Sequence, residues 1–289
     1  MHINFKYFIV SIGSIFLALG IGILIGSSLG NNETMQKQNE AIVKDIDEQF
    51  NVLKTKDDEL AKENKVLKDN ADSYRKYIEA NQAVLTANKL SGKNIGIISF
   101  DEKDNLREVD SAITSSGGNV AFKVIIKESL FEKGSAENIN KKLQKNISSN
   151  AELINLVTDS IKNPTVNGNL NALSELGYIK VEKMSSQYDL INCFVFINDS
   201  GIKMKKKIND LEKPILENIK NEKHVILVQG NSNNLDSLDE FSNMKIAIIN
   251  NIDQSSGQIS LVNCLANDKL TGSYGKDKEN NLVTMAVTK

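Results

Sequence analysis

YFIVSIGSIFLALGIGILIGSSL, residues 7–29, carries no charged side chain, and the uncharged run extends through Asn32. A helix rises about 1.5 Å per residue, so roughly 20 apolar residues cross a hydrocarbon core about 30 Å thick. The segment meets that length. We therefore predict that residues 1–30 form a cytoplasmic N-terminus followed by a transmembrane helix.

The alternative to an uncleaved anchor is a cleaved signal peptide. Signal peptides have an apolar region of only about 7–15 residues and an A-x-A-like cleavage site, whereas this run is longer and no A-x-A sequence follows it. Lys6 precedes the run, and Glu33 comes before the first later lysine, Lys37. The positive-inside rule then predicts a single-pass protein of the cell membrane, with a cytoplasmic N-terminus and an extracytoplasmic remainder.

Small residues recur every four positions along one face of this helix and form two overlapping GxxxG motifs. They are Ser14, Ala18, Gly22, Gly26 and Gly30. Such a face lets two helix backbones approach closely in lipid, which predicts helix pairing. The alternative is that the face meets lipid, because glycine is common in membrane helices.

Residues 31–90 are predicted to be a coiled-coil region, because a heptad pattern runs from residue 43 to about residue 88, a helix length of roughly 70 Å. The first seam position holds Val43, Phe50, Asp57, Asn64, Ala71, Ile78 and Leu85; the second holds Ile46, Leu53, Leu60, Leu67, Tyr74 and Asn81. An asparagine in the seam, here Asn64, tends to fix the register of a parallel dimer. We predict a parallel homodimer; the alternative is one amphipathic helix that packs on its own globular domain.

Residues 91–289 alternate β-branched runs with helical stretches, which predicts an extracytoplasmic α/β domain. The predicted strands are Ile95–Phe100, Val120–Ile126, Leu190–Ile197, His224–Val228 and Lys245–Ile249. The predicted helices lie near 103–116, 135–162, 167–176, 203–221 and 257–266. The strands are apolar on both faces, as in parallel sheets covered by helices. The predicted class is therefore a doubly wound (Rossmann/flavodoxin-like), mostly parallel sheet.

Ligands of such sheets bind at the carboxyl ends of the strands. The predicted loops there are Asp101–Asp104, Asn198–Gly201, Gln229–Asn234 and Asn250–Gly257. Their Asn, Asp, Ser and Gly residues fit a ligand site, but they are also ordinary turn residues. A pocket there with two or more convergent carboxylates would favour an enzyme.

The sequence contains no motif that carries catalytic chemistry. A dinucleotide glycine fingerprint, a Walker A loop, a nucleophile elbow and an H-E-x-x-H motif are all absent, and the only histidines are His2 and His224. We therefore predict a protein that is not an enzyme. The net charge of −2 gives no reason to expect nucleic-acid binding, and the basic run Lys203–Lys207 is expected to be a solvated helix face.

Soft-metal ligands are sparse in this sequence. Cys193 and Cys264 both lie in apolar segments, where they form either a disulfide or two buried free thiols. Their wide spacing is unlike a C-x-x-C site. The methionines form no Met-x-x-Met cluster suited to Cu(I).

The layout as a whole resembles the MctB copper-transport family. The resemblance rests on the opening MHINFKYFIVSIGSIFLALGIGILIGSSL, on the coiled coil after it, and on two later motifs. The first motif is NNIDQSSGQISLV at 250–262, an Asp followed after a short gap by Gly-Gln and an apolar helix. The second is GSYG at 272–275. The resemblance covers the full chain and implies an envelope protein in copper efflux or homeostasis, with copper implied on this ground alone.

Within the first motif, Asp253, Gly257 and Gln258 have two alternative roles. Asp253 and the backbone N–H groups of the Gly-Gln pair can form a small polar ligand site at a helix start. The same residues can instead cap the helix. The alternative function for the whole chain is a non-enzymatic coiled-coil scaffold that presents the α/β module to an envelope protein or a cell-wall glycan.

Overall fold

The computed structural model describes residues 5–30, 32–100, 106–165, 168–198, 205–230, 235–276 and 282–286. Helix α1, Phe5–Leu29, contains the predicted apolar run. Within it, Phe5–Ser28 has a mean hydropathy of 2.6 and is the one helix of the described residues that is long and apolar enough to cross a membrane. The predicted N-terminal apolar helix is confirmed.

Helix α2, Asn32–Thr86, continues for 55 residues. It contains neither glycine nor proline, so no residue of the helix removes a backbone donor or adds the conformational freedom that weakens helices. The chain divides into two compact units, Met1–Ser73 and Tyr74–Lys289, with the boundary inside α2. The last turns of the predicted coiled-coil segment therefore belong to the same unit as the α/β domain.

The second unit alternates strands and helices along the chain. The strands are β1 Asn94–Ser99, β2 Asn119–Ile126, β3 Ile179–Met184, β4 Ile191–Ile197, β5 His224–Val228, β6 Ala247–Ile249, β7 Gly272–Lys276 and β8 Leu282–Thr284. The helices are α3 Leu106–Ser115, α4 Ser135–Leu143, α5 Asn150–Lys162, α6 Asn169–Glu175, α7 Lys205–Lys207, α8 Lys213–Lys220 and α9 Ser255–Ala266. A π-helical turn, Ile208–Glu212, joins α7 to α8.

The strands form one sheet in the order β3-β2-β1-β4-β5-β6-β7-β8. Every neighbouring pair from β2 to β7 is parallel, whereas β3 and β8 pair antiparallel at the two ends. The chain runs outward from β1 to β3, returns to β4 beside β1, and then continues in the opposite direction. The predicted mixed α/β class with a mostly parallel sheet is confirmed.

Apolar side chains of alternating strand residues enter two separate cores. Phe194 and Phe196 of β4 pack in one core with residues of α4, α5, α6 and α8. Val195 and Ile197 pack in the other with residues of α3 and α9 and with Leu90, which follows α2. Parallel strands need cover on both faces, and these helices supply it.

Three strands were missed by the sequence analysis, for separate reasons. Strand β3 is an edge strand whose sequence, IKVEKM, is mostly charged or exposed, so it lacks the apolar run of a buried strand. Strand β7 begins at Gly272 and contains Gly275, both at positive φ. Strand β8 has only three residues.

The single helix predicted near 135–162 is wrong, because the chain forms two helices there. Gln144 adopts a left-handed backbone with φ of 52° and ends α4. Helix α5 then begins with a capping box: the Glu152 N–H donates to Ser149 Oγ, and a Glu152 carboxylate oxygen accepts from the Ser149 N–H, each at 3.2 Å. The S-x-x-E sequence at 149–152 is the signal that predicts this start.

Replacing Gly96 by alanine tests the packing of β1 against β4. A Cβ at this position would overlap the ring of Phe194. We expect Gly96→Ala to lower the free energy of unfolding by about 1–3 kcal/mol, the cost of overpacking a core. Chemical unfolding of the full chain in detergent measures this loss.

The matched control removes the obstacle. We expect Gly96→Ala to lower the free energy of unfolding less in a Phe194→Leu variant than in the wild type, because the smaller side chain leaves room for the added Cβ. A strictly additive pair of substitutions would contradict the contact.

Candidate functional site

Buried polar residues follow three neighbouring parallel strands directly at their carboxyl ends. Asn198, Gln229 and Asn250 come immediately after β4, β5 and β6, and all three are buried. Their N–H groups extend the sheet hydrogen bonding by one residue, donating to the carbonyls of Val228 at 3.0 Å, Ile249 at 2.7 Å and Tyr274 at 3.1 Å. This edge is where ligands of parallel sheets bind.

The four predicted loops at this edge are described only in part. Asn198, Gln229 and the whole of Asn250–Gly257 are described, whereas Asp101–Asp104 and residues 199–201 and 231–234 lie outside the described residues. The described part of this edge therefore consists of Asn198, Gln229, Gly230 and the loop after β6.

A buried ion pair lies beside the end of β1. Lys207 Nζ is 3.7 Å from Glu212 Oε1, and the two side chains are 8% and 1% exposed. Lys207 also donates to the Phe100 carbonyl at 3.1 Å. The π-helical turn puts these two residues, five apart in sequence, within reach of each other.

This pair corrects one prediction and reveals a residue that the sequence analysis missed. The run 203–207 was expected to be a solvated helix face; Lys205 and Lys206 are exposed, but Lys207 is not. Residues 203 and 204 lie outside the described part of the chain. The buried pair was missed because Lys207 and Glu212 do not share a face of an α-helix, where neighbours are three or four residues apart.

A cleft of about 490 Å³ opens beside this pair. Its lining combines three acidic side chains, two lysines, one amide and two apolar side chains: Glu128, Glu132, Asp210, Lys206, Lys207, Asn150, Phe131 and Leu211. Glu128 lies two residues beyond the end of β2. The cleft holds more than the two carboxylates that would favour an enzyme, and all three are exposed to solvent.

Two glycines of the family motifs surround the amides that follow β6. The Asn250 side chain acts like an added strand residue: Nδ2 donates to the Lys276 carbonyl at 2.7 Å, and Oδ1 accepts from the Lys276 N–H at 2.6 Å. Gly275 has φ of 120°, and a Cβ there would collide with Asn250 Oδ1. The GSYG motif therefore lets β7 pass close to this amide.

The same requirement holds at Gly257, in the first turn of α9. A Cβ at this position would overlap the Asn251 carbonyl and lie 2.8 Å from Asn251 Oδ1. Asn251 is fully buried and donates from Nδ2 to Ser256 Oγ at 2.8 Å. Gly257 is thus fixed by a close approach between the loop after β6 and the start of α9.

Gln258 joins three elements through its side chain. Its Oε1 accepts from Nε2 of Gln82, near the end of α2, at 2.7 Å. Its Nε2 donates to the Ile252 carbonyl at 3.2 Å, and the Ile252 N–H donates to the Gln229 carbonyl at 3.1 Å. The Gln258 side chain therefore connects α2 with the loop between β6 and α9.

Asp253 lies at the surface, one residue before the N-cap of α9. The N-cap is Gln254, which makes no side-chain capping hydrogen bond. The Gln258 N–H donates to the Gln254 carbonyl at 3.0 Å within the helix. That N–H is therefore hydrogen-bonded within the helix, and the ligand role of Asp253, Gly257 and Gln258 stays a prediction.

A second contact holds α9 against the residues after α2. Lys89 Nζ donates to Asn263 Oδ1 at 2.6 Å, and Asn263 Nδ2 donates to the Ala286 carbonyl at 2.8 Å. The Ala286 N–H in turn donates to Ser260 Oγ at 3.1 Å. Together with the Gln82–Gln258 contact, these bonds define a junction, which we call the α2–α9 junction.

The two cysteines are free thiols and are buried. Burial raises the pKa of the Cys264 thiol to about 12 and also raises that of Cys193. His224 Nε2 lies 3.3 Å from the Cys264 carbonyl, and burial lowers the pKa of this histidine. Within the described part of the chain, no three His, Cys, Asp or Glu residues are placed to hold a metal ion.

The predicted pairing residues lie along the two long helices. In α1, Cβ atoms added at Gly22 and Gly26 would meet nothing within 4 Å, and Ser14 Oγ donates to the Val10 carbonyl of its own helix at 2.7 Å. Ala18 and Gly30 are exposed, as is Asn64 in α2. Helix pairing through these residues stays a prediction.

The apolar helix and the mostly parallel sheet define a mixed α/β protein with one N-terminal helix able to span a membrane. A family model described as copper transport outer membrane protein, MctB, matches residues 2–284. The chain belongs to this family, which confirms the resemblance seen in the sequence. No curated protein matches the chain.

Removing one member of the buried pair tests its contribution to stability. Lys207→Met removes the cation 3.7 Å from the buried Glu212 carboxylate, so we expect the free energy of unfolding to fall by about 3–5 kcal/mol. The double variant Lys207→Met/Glu212→Leu is expected to recover much of this loss. Lys206→Met at the exposed neighbour is the control, with an expected change within about 0.5 kcal/mol; equal losses at 206 and 207 would contradict the burial.

A double-mutant cycle on Gln82 and Gln258 tests the α2–α9 junction. We expect the two alanine substitutions to show a coupling energy of about 0.5–1.5 kcal/mol, the net value of a hydrogen bond. Asn81→Ala serves as the control partner, because Asn81 Nδ2 donates to the Tyr77 carbonyl within the same helix. Coupling of Gln258 to Asn81 as strong as to Gln82 would refute the contact.

Thiol labelling tests the burial of the cysteines. With the pKa of Cys264 at about 12, the reactive thiolate is scarce at pH 8. We expect maleimide to leave the folded protein unmodified and to label both cysteines after denaturation. Rapid labelling of the native chain, followed by mass spectrometry, would contradict the buried positions.

Proposed function

We propose that this protein acts in copper efflux or homeostasis as a membrane-anchored envelope protein. The observation that carries the proposal is the family match, which spans both α1 and the α/β domain. A single apolar helix of the right length supports attachment to a membrane. We take the α/β domain to be of the doubly wound type, because helices cover both faces and the strand order changes direction at β1 and β4.

The proposed orientation has the N-terminus in the cytoplasm and the α/β domain outside the cell membrane. Lys6 on one side of the apolar run and Glu33 on the other support it. The variants Lys37→Cys and Lys127→Cys, made one at a time, provide a test with a membrane-impermeant maleimide on intact cells. We expect labelling at both positions on intact cells. Labelling only after lysis would show the opposite orientation.

Copper would be cargo in this role, and in the described part of the chain no three His, Cys, Asp or Glu residues are placed to hold a metal ion. Cu(I) prefers thiolate and thioether ligands. The two thiols are buried with raised pKa values, and the methionines form no Met-x-x-Met cluster in the sequence. The support for copper therefore comes from the family alone.

Deleting the gene tests the proposed role. We expect the deletion strain to grow poorly in added copper and to accumulate cell copper, and the full chain to restore both. Zinc sensitivity is the control, since a general envelope defect affects both metals. Unchanged copper tolerance and copper content would remove the proposal.

The second candidate function is a non-enzymatic scaffold that presents the α/β module to an envelope protein or a glycan. The observation that favours it is the internal use of the family motif: Gly257, Gln258 and Gly275 hold elements of the chain together. Cu(I) titration of the purified full chain separates the two candidates. Tight stoichiometric binding favours direct copper handling, and absence of binding favours the scaffold.

The scaffold candidate also predicts a partner at the cleft beside Lys207. A photo-crosslinking amino acid at Asp210, on the cleft wall, is expected to capture an envelope component in intact cells. The matched control places it at Lys145, an exposed residue outside the cleft lining. Equal products at the two positions, or none at Asp210, would count against this candidate.

A further inference from the structure

The heptad face of α2 is exposed in the part of the helix that belongs to the first unit. In the first unit, six apolar seam residues are between 55% and 64% exposed: Val43, Ile46, Phe50, Leu53, Leu60 and Leu67. We call these six residues the seam stripe. A solvated helix normally buries such a stripe against a partner. Large apolar faces that stay open in a single chain mark interaction surfaces.

In the second unit, the last turns of α2 use a different side for their own domain. Gln82 and Thr86 face the domain, through the contact with Gln258 and through burial to 2% exposure respectively. Four apolar residues of α2 in this unit stay 44–78% exposed: Tyr74, Tyr77, Val84 and Leu85. The domain therefore leaves these side chains of its own helix uncovered.

We propose that a second copy of this chain covers the seam stripe, with the two α2 helices parallel and in register. The seven-residue period of the stripe fits another helix with the same period, and a second α2 supplies it. If two copies are anchored by α1 in one membrane, both α2 helices begin at the same membrane surface and run in the same direction, which makes the pairing parallel.

Charges that flank the stripe agree with this arrangement. In a parallel pair, the residue that precedes a first seam position, such as Glu63 before Asn64, lies near the residue of the second helix that is five positions later in sequence. Glu63 of one protomer then lies opposite Lys68 of its partner, an attractive pair. Gln49 opposite Lys54 and Lys56 opposite Ala61 bring no like charges together.

Two polar residues that lie between members of the seam stripe, Asn64 and Asp57, give the pair its register and its weak point. Asn64 meets its own copy only when the helices are in register, and a seam asparagine favours this match. Asp57 of one protomer faces Asp57 of its partner, so the seam contains one repulsive contact, between the levels of Leu53 and Leu60. The adjacent Lys56 of each protomer lies near this acidic pair. Asp57 is therefore the seam position where an apolar side chain should strengthen the dimer most.

Cysteine crosslinking of the full chain in native membranes tests the proposal. Ile46→Cys and Leu67→Cys lie in the stripe, and Glu48→Cys and Asp69→Cys lie on the opposite face of the same turns. With a dipyridyl disulfide oxidant, we expect each stripe variant to link to its own copy severalfold more than its control. The wild-type chain, with both native cysteines buried, is expected to give no crosslink.

The outcomes separate the possibilities. Strong links at both 46 and 67 require parallel helices in register, because each residue must meet its own copy at both ends. Equal linking of stripe and control positions, or no linking at the stripe, overturns the proposal. So does a link at only one of the two stripe positions.

A second measurement is independent of crosslinking. The mass of the detergent-solubilised chain is followed on dilution for wild type, Asp57→Ile and Leu60→Lys. We expect Asp57→Ile to hold the dimer at severalfold lower concentration and Leu60→Lys to dissociate it, with helix content unchanged. Identical dilution curves for the three proteins would overturn the proposal even if crosslinks form.

Discussion

The close approach of the Asn251 carbonyl to Gly257 is the constraint on which the α/β domain depends. No side chain fits at position 257, so the loop after β6 turns directly onto the first turn of α9. That turn places Gln258 where it reaches both Gln82 of α2 and the Ile252 carbonyl. The end of the long helix, the sheet edge and α9 thus share one small set of contacts.

This arrangement changes how the family motifs are understood. Asn250 and Asn251 are buried, and Gly275 and Gly257 keep space for their side chains. Buried amides that are hydrogen-bonded in this way fix the relative position of elements. The residues of these two family motifs therefore hold the edge of the sheet and α9 together.

Much of the fold could be predicted from the sequence, because long apolar or periodic segments carry strong signals. The apolar helix α1, α2 and five parallel strands follow from such runs. Strand β3 could not be predicted in this way, since an edge strand needs no apolar run. The break at Gln144 could not be predicted either, because a single residue with a left-handed backbone leaves no periodic pattern in the sequence. The Lys207–Glu212 pair depends on a π-helical turn, which local sequence patterns do not reveal. The Gln82–Gln258 contact joins residues 176 positions apart in sequence, beyond the range of such patterns.

Hydrogen exchange measured residue by residue on the full chain is the most direct test that α2 and α9 share one junction. Elements that open together show a common opening free energy. We predict the same value for the amides of 78–86 in α2, for α9 and for β6, and a joint decrease in Gln258→Ala. Exchange of 78–86 that is independent of α9, and unchanged in Gln258→Ala, would contradict the account.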